Sequence, residues 1–565
     1  MTLFSSIQTA NNALLAAQLG LQVTGNNIAN ANTPGYVRER LVLVPGPTQT
    51  YGNLLLGTGV KVDSVQQVTD RFLEERLRNA GSDLANSQAQ QNTYVQLESL
   101  IGELSDTDLS TALTSFFNSI QDILNQPDSA AVRNLAVLQG KTLTDNIRQL
   151  DARVREIRQD VNNQVIASAD DINHALSEVA RLNVQIVKAE GGDTSASDAI
   201  GLRDRRTAVL NDLAQLIDIK SVEQPTGDVT VFAGGEYLVA AGSYREVTAL
   251  ASTDRGLAIA EIRLKETDSP ITAASGKLAG LIRSRDEVLG GFLDGLDNFA
   301  RALMYEFNKL HAGGQGLEGY SSLESEFAVD DLGAALDQAG LKFTPSNGSF
   351  SVQVLNTQTG LSTTTDIRVD LNGLDDDTSL ADLAAALDAI DGISATITPS
   401  RRLRLEADTS FVKFSFAGDT SGALAALGIN TFFTGAHASD IGISREIRTS
   451  PGKFAASGGG IAEDTDVAAQ LATLLTAPIS SQNDQSLALL YDRITGDVTQ
   501  GAAVTKSVAE GFEVFQQTLE GQYLSVTGVN LDEEAVRMIA YQRAFQASAR
   551  VIATINELLE VLINL

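Results

Sequence analysis

Leu3, Ile7, Ala10, Leu14, Ala17, Leu21, Thr24 and Ile28 advance by alternating steps of four and three, the signature of a heptad seam on a helix. Met538, Tyr541, Phe545, Ser548, Ile552, Ile555, Leu559 and Leu562 repeat the alternation at the other end of the chain. Each seam runs about 40 Å at 1.5 Å per residue, which is marginal for a helix alone in water. Chain ends fray unless something ties them down. The two seams therefore have to be buried against each other or against neighbouring molecules, and ordinary core helices of a terminal bundle are the plainer form of the same constraint. Asp532, Glu533 and Glu534 suit the positive end of the second helix.

What lies between the ends exceeds one core. A chain of 565 residues implies roughly three or four domains. From 66 to 220 the pattern is helical, with Ile147, Leu150, Val154, Ile157, Val161 and Val165 marking a long amphipathic rod. "DVTVFAGGEYLVAAG" and "GLAIAEIRL" then alternate apolar residues between glycine turns, so 221–270 reads as a small β-rich unit. Helical spacing resumes over 271–320. Short strands around the helix candidate "SLADLAAALDAI" make 341–436 an α+β insertion. The fold class is multidomain and mainly α with β-rich insertions: coiled-coil terminal helices, a long antiparallel helical bundle, and small β and α+β outer domains. The division expected is 1–65 with 520–565 as a terminal helical domain; 66–220 with 271–320 and 440–519 as a discontinuous rod; 221–270; and 321–439 as an outer insertion that folds independently, closing cleanly between Gly340 and Ser439.

Charge and composition exclude several functions. With 41 Lys and Arg against 71 Asp and Glu, the net charge of -30 repels phosphate backbones, so neither nucleic acid nor an anionic membrane is expected as a partner. The chain has no Cys, which removes disulfides, thiolate chemistry and Cys-based metal sites. No apolar run approaches the roughly 20 residues of a membrane span, and "MTLFSSIQTANN" lacks the features of a cleaved secretory signal. By these criteria alone the protein is cytoplasmic.

Candidate catalytic and metal motifs fail on inspection. His174, His311 and His437 stand far apart in the sequence; His311, before the glycines of "HAGGQG", is expected to cap a helix end as an imidazolium. "RVDLNGLDDDTSL" resembles a calcium loop, but with Gly373 at the sixth position Arg368 and Ser379 fall where the first and twelfth ligands belong. "SGGGIAED" lacks the Lys-Ser/Thr ending of a phosphate loop. The expectation is no enzyme, no cofactor and no metal.

One stretch asks for more explanation. "NNIANANTPGY", residues 26–36, crowds Asn26, Asn27, Asn30 and Asn32 against Thr33, Pro34, Gly35 and Tyr36 at the exit of the first helix, more amide chemistry than a turn needs. "TLFSSIQTANNALLAAQLGLQVTGNNIANANTPGYVRER" resembles the N-terminal signature of bacterial flagellar axial proteins, the rod, hook and hook-associated family. "GVNLDEEAVRMIAYQRAFQASARVIATINELLEVL" resembles its C-terminal signature. "GKLAGL" with "RDEVL", then "FNKLHAGGQGLEG" and "YDRITGDVTQGA", resemble the hook-associated branch, except that Gln315 stands where that branch usually has Asp.

The resemblance implies a structural protein joining hook to filament as a ring, needed for filament assembly and motility, and exported through the flagellar type III route without a cleaved signal. It also implies an extracellular location. The implied partners are the protein's own copies, the hook protein, the next junction protein on the flagellin side, and an export chaperone on the C-terminal helix. It places the assembly interface on Leu3, Ile7, Leu14, Leu21, Asn26, Asn27, Ile28, Asn30, Asn32, Pro34, Gly35 and Tyr36, and on Met538, Tyr541, Phe545, Ile552, Ile555, Leu559 and Leu562. The amides would then serve helix ends of neighbouring subunits, with local capping as the alternative. The rival readings are an adhesin or glycan hydrolase carried on flagellar-type ends, with its activity in 341–436, and a hook or filament paralogue.

Overall fold

The computed structural model describes all residues except 1, 2, 34, 52, 53, 103–107, 193–196, 375, 462, 463, 564 and 565, and its side-chain description also omits 51, 54, 562 and 563. The chain forms two compact units, each assembled from stretches distant in sequence.

The first unit comprises Met1–Thr93, Gln159–Arg285 and Ala503–Leu565. It contains the N-terminal helix Leu3–Ala29 and the C-terminal helix Leu531–Ile563, which pack along one another. Strands Glu39–Pro45 and Val60–Gln67 form an antiparallel hairpin, Leu41 opposite Val65, that lies on the N-terminal helix. The β-rich segment is real: an antiparallel four-stranded sheet over 220–244 and a hairpin pairing Val247–Asp254 with Leu257–Leu264.

Asparagines of the rod helix Ala130–Glu190 attach these strands. Asn162 accepts from the Ala260 N–H at 2.8 Å. Asn173 accepts from the Val247 N–H and donates to its carbonyl, both at 2.8 Å. Asn183, fully buried, does the same for Val229 and also donates to the Ala241 carbonyl. Each amide thus satisfies strand backbone that has no ladder partner on that side.

The second unit comprises Tyr94–Arg158 and Asp286–Ala502. Helix Leu109–Asn125 is N-capped by Asp108, which accepts from the Thr111 N–H at 2.6 Å, and buries Phe116, Phe117 and Ile120. Phe116 meets Phe307, Phe432 and Phe433 with ring centroids 5.4 to 5.7 Å apart. On the rod helix Ala130–Glu190 a Cβ at Gly140 would fall 2.7 Å from the Phe432 ring, so glycine is needed there.

The α+β segment holds two three-stranded antiparallel sheets, with Leu403–Ala407 and Gly348–Asn356 as their central strands. Helix Leu380–Asp388 starts at a capping box of Ser379 and Asp382. One core joins these elements: it runs from Ala312, Tyr320, Leu323, Val329 and Leu336 through Phe350, Phe414 and Phe416 to Ile429. The insertion therefore does not close between Gly340 and Ser439 as the sequence suggested; its core begins at the end of helix Gly290–Ala312.

His311 departs from expectation too. It is fully buried, its Nδ1 lies 2.9 Å from the Asn430 carbonyl and its Nε2 accepts from the Ala455 N–H at 3.0 Å, which fixes a neutral imidazole. Burial among Phe307, Phe432 and Phe454 lowers its pKa to about 4. It is a core tie rather than a charged cap. Gln315 is also buried; its Oε1 accepts from Ser415 at 3.1 Å, and its Nε2 has no partner among the described residues. His437 sits at the surface with Nδ1 3.1 Å from Asp297.

Candidate assembly site at the chain termini

The first helix contains no ionisable side chain, and the first charge along the chain is Arg38. Its fully buried face is made of small and amide residues: Ala10, Ala16, Ala17, Gly20, Val23, Thr24 and Asn27. Small residues let the backbone approach its neighbours closely. At Gly20 a Cβ would fall 2.6 Å from the ring of Tyr541 on the C-terminal helix, so the ring occupies the space a side chain would need.

Leu3, Ile7, Leu14, Leu21 and Ile28, the larger seam positions, flank this face and are half-buried. On the partner helix Ile555 is buried while Met538, Tyr541, Phe545, Ile552 and Leu559 are half-buried; the side chain of Leu562 lies outside the described residues. The seams meet within one chain, and the N-terminal helix is shared between the C-terminal helix and the hairpin, which turns its small face inward.

Asn27 holds the junction of these pieces. Its Oδ1 accepts from the Glu39 N–H and the Tyr36 hydroxyl, both at 2.9 Å. Its Nδ2 donates to the Glu39 carbonyl at 3.0 Å and to Glu534 of the C-terminal helix at 3.2 Å. Two donors and two acceptors exhaust what an amide can do. Asn26 is exposed, and its amide favours the ionised form of the Glu39 carboxylate; Asn30 donates back to the Asn26 carbonyl at 3.1 Å. Asn32 and Gly35 are exposed, Gly35 with φ 77° at the turn, and Pro34 lies outside the described residues. Arg38 reaches Glu533 at 3.2 Å.

Carboxylates gather around this knot. Burial raises the pKa of Glu39, and burial with Glu39 nearby raises that of Asp204 to about 6 although Gln67 donates to it. Burial, then Glu39, push the Tyr36 phenol far above its ordinary range. Elsewhere in this unit a polar groove of about 520 Å³ opens beside Arg203, whose guanidinium bridges Glu190 at 2.7 Å and Glu223 at 2.6 Å. Those charges connect helix Ile200–Leu216 to the rod helix and the first strand of the sheet.

The sequence singled out the asparagines but not the bonds they make. Tyr36 and Glu534 each stand out for other reasons, but nothing local joins them to Asn27: the amide also takes both backbone groups of Glu39, 12 residues on, and reaches Glu534 across 507 residues. Among the described residues no group of three His, Cys, Asp or Glu is placed to hold a metal, and no helix is long and apolar enough to cross a membrane.

Paired terminal helices closed by an amide knot, with β-rich segments between them in the sequence, make a scaffold held by its own chain ends. Three family models match: the flagellar hook-associated protein FlgK helical domain over 94–325, the flagellar basal body rod FlgEFG protein C-terminal model over 520–565, and the flagella basal body rod protein model over 7–36. Flagellar hook-associated protein 1 of Escherichia coli is 25% identical over 572 residues, 99% of this chain and 100% of that one. Its namesake from Bacillus subtilis is 24% identical over 577 residues, 99% and 98% of the two chains. The solved flagellar hook junction protein FlgK from Burkholderia pseudomallei shares the fold, with a TM-score of 0.51 and 15% identity over 80% of this chain and all of that one. These matches, which extend over nearly the whole chain, are to the FlgK family of flagellar hook-associated proteins.

Proposed function

We propose that this protein is the structural junction between hook and filament, assembling as a ring of identical subunits that filament growth and motility require. The observation that carries this reading is similarity over the whole length: the match to hook-associated protein 1 takes in 99% of this chain and all of the relative. A protein that shared only the termini would match at its ends alone. In this reading the terminal helix pair is the assembly element, contacting other copies, the hook protein on one side and the next junction protein on the flagellin side.

Before assembly the C-terminal helix is the segment an export chaperone covers. Its exposed Val536, Leu558 and Val561 give such a chaperone an apolar face. The subunit reaches the cell exterior through the flagellar export route without a cleaved signal.

The test is a deletion strain of the source organism. It should build hooks, shed flagellin into the medium and fail to swim, and the full chain supplied in trans should restore attached filaments. A deletion strain that keeps its filaments would overturn this reading.

A further inference from the structure

Within the second unit two helices part to leave a pocket of about 240 Å³. One wall is helix Gly290–Ala312 with the π-helical turn Ser284–Leu289 ahead of it, and the other is the start of helix Leu487–Thr527. Glu287, Gly291 and Gly295 follow one another at four-residue spacing along the first wall, and Ile494, Asp497 and Val498 share a face of the second. At Gly295 the helices touch, since a Cβ there would stand 3.2 Å from Ile494; at Gly291 a Cβ would meet nothing within 4 Å. The groove therefore opens over Gly291. Tyr94 closes its third side, with its ring 2.5 Å from where a Cβ at Gly501 would stand.

The lining is divided between apolar and acidic groups. Phe292 and Val498 are buried and Val288 and Ile494 half-buried, which makes an apolar floor, whereas Glu287 and Asp497 are exposed at the rim. Both carboxylates lie close enough to Tyr94 to add to the burial that raises its phenol pKa. Neither is well neutralised within the chain: among the described residues Glu287 has no ion-pair partner, and Asp497 has only the exposed Arg493 at 4.0 Å. Packing within the chain does not account for Gly291 either. Glycine weakens a helix relative to alanine, and the room for a methyl group is free here. A π-helical turn re-aims the side chains it carries, and Glu287 and Val288 belong to one.

We propose that this pocket receives one arginine side chain of a partner protein, its methylenes on Val288, Phe292 and Val498 and its guanidinium among Glu287, Asp497 and the Tyr94 ring. Charge complementarity selects the occupant. Two carboxylates above an apolar floor suit a cation on an apolar stem. A planar guanidinium can donate to both carboxylates at once and stack on a phenol ring, which a compact ammonium does less well. The bare helix surface at Gly291 is the room the stem takes. The inference rests on the junction reading for its setting, in which the partner is another flagellar component.

The test uses the full chain with isoleucine and valine methyl groups labelled for NMR, and N-acetyl-arginine amide as the probe. Signals of Val288, Ile494 and Val498 should shift and saturate, while N-acetyl-norleucine amide leaves them in place. Glu287→Gln with Asp497→Asn should weaken binding at least about tenfold. Gly291→Leu should abolish it by filling the groove. All three positions are exposed, so these variants should melt as the parent does. Unmoved signals, or an equal response to the norleucine or the lysine amide, overturn the inference.

The second arm returns the site to the cell. In the deletion strain, Glu287→Arg with Asp497→Arg should be exported as the parent is, melt as the parent does when purified, and yet lose attached filaments. Filaments retained as in the parent overturn the inference and leave the junction reading standing. A deletion strain that swims unaided overturns the junction reading instead.

Discussion

Asn27 shows how much a single amide can organise when all four of its hydrogen-bonding positions are used. Replacing it with Ala strands the Glu39 N–H, the Glu39 carbonyl, the Tyr36 hydroxyl and Glu534 together. The expected loss is about 2–4 kcal/mol of stability in the first unit, measured by chemical denaturation. Asn27→Asp keeps the shape but sets a carboxylate against Glu39 and Glu534, so its deficit should be larger at neutral pH than in mild acid.

His311 supplies the opposite kind of pH dependence, in the second unit. Its folded pKa of about 4 lies below the ordinary 6.5, so the unfolded chain takes up the proton first as pH falls. The stability held by the neutral ring is complete above 6.5 and is lost progressively down to about 4, on the order of 3 kcal/mol. Unfolding midpoints followed across that range should show this slope, and His311→Gln should flatten it. Asp204 works with the other sign in the first unit: its raised pKa makes the ionised form unfavourable, and protonation through about 6 relieves it. The sequence marked His311 as part of a helix end before glycines, which it is. Its neutral state was illegible because Asn430 and Ala455 arrive from more than a hundred residues downstream.

Among elements, the terminal helices were the easiest to read and their orientation the hardest. A four-three spacing identifies an amphipathic helix, but more than one stripe on the N-terminal helix satisfies it. The seam read from the sequence carries Ala10, Ala17 and Thr24 among its leucines, and these small members are the ones buried, with Ala16, Gly20, Val23 and Asn27 beside them. Here closeness decides: Ala10, Ala17 and Gly20 face inward because two neighbours crowd that side, and the leucines fill the flanks. Gly20→Leu tests this directly. A branched side chain where Tyr541 already sits should cost about 1–3 kcal/mol. Hydrogen exchange should speed up in both terminal helices while the strands over 348–417 stay protected. The asparagines at 162, 173 and 183 carried a fainter signal, buried amides inside an otherwise apolar helical pattern, that pointed to backbone needing partners without saying which.

At the scale of the whole molecule, changes of texture near 221 and 341 correctly placed strands within a helical chain. The texture change at 341 starts later than the α+β core does; the outer domain expected over 321–439 takes in Leu323, Val329 and Leu336 but leaves out Ala312 and Tyr320. Tyr320, Leu323, Val329 and Leu336 precede the first long strand and look like loop, yet they are buried with Phe350, Phe414 and Phe416. Asn308 also donates to the Phe433 carbonyl at 2.9 Å, beyond the far side of that core. Joining Gly340 to Ser439 would therefore remove the partners of residues left behind. The deletion protein is expected to lose the cooperative thermal transition of the second unit and to bind hydrophobic dye, as calorimetry and fluorescence would show. A well-folded deletion protein would restore the view of the insertion as a separable domain.

The geometry around Asn27 also bears on chemical ageing. Asparagine deamidates when the following backbone nitrogen attacks the side-chain carbonyl, which requires a free amide and a mobile backbone, and it is among the residues that limit a protein's durability. Asn27 lies inside a helix with its amide fully engaged, whereas Asn32 is exposed in the turn that follows. Long incubation under mildly alkaline conditions, followed by peptide mapping, should reveal conversion at Asn32 well before Asn27. Damage would then accumulate on the turn while the knot that joins the helices keeps its amide.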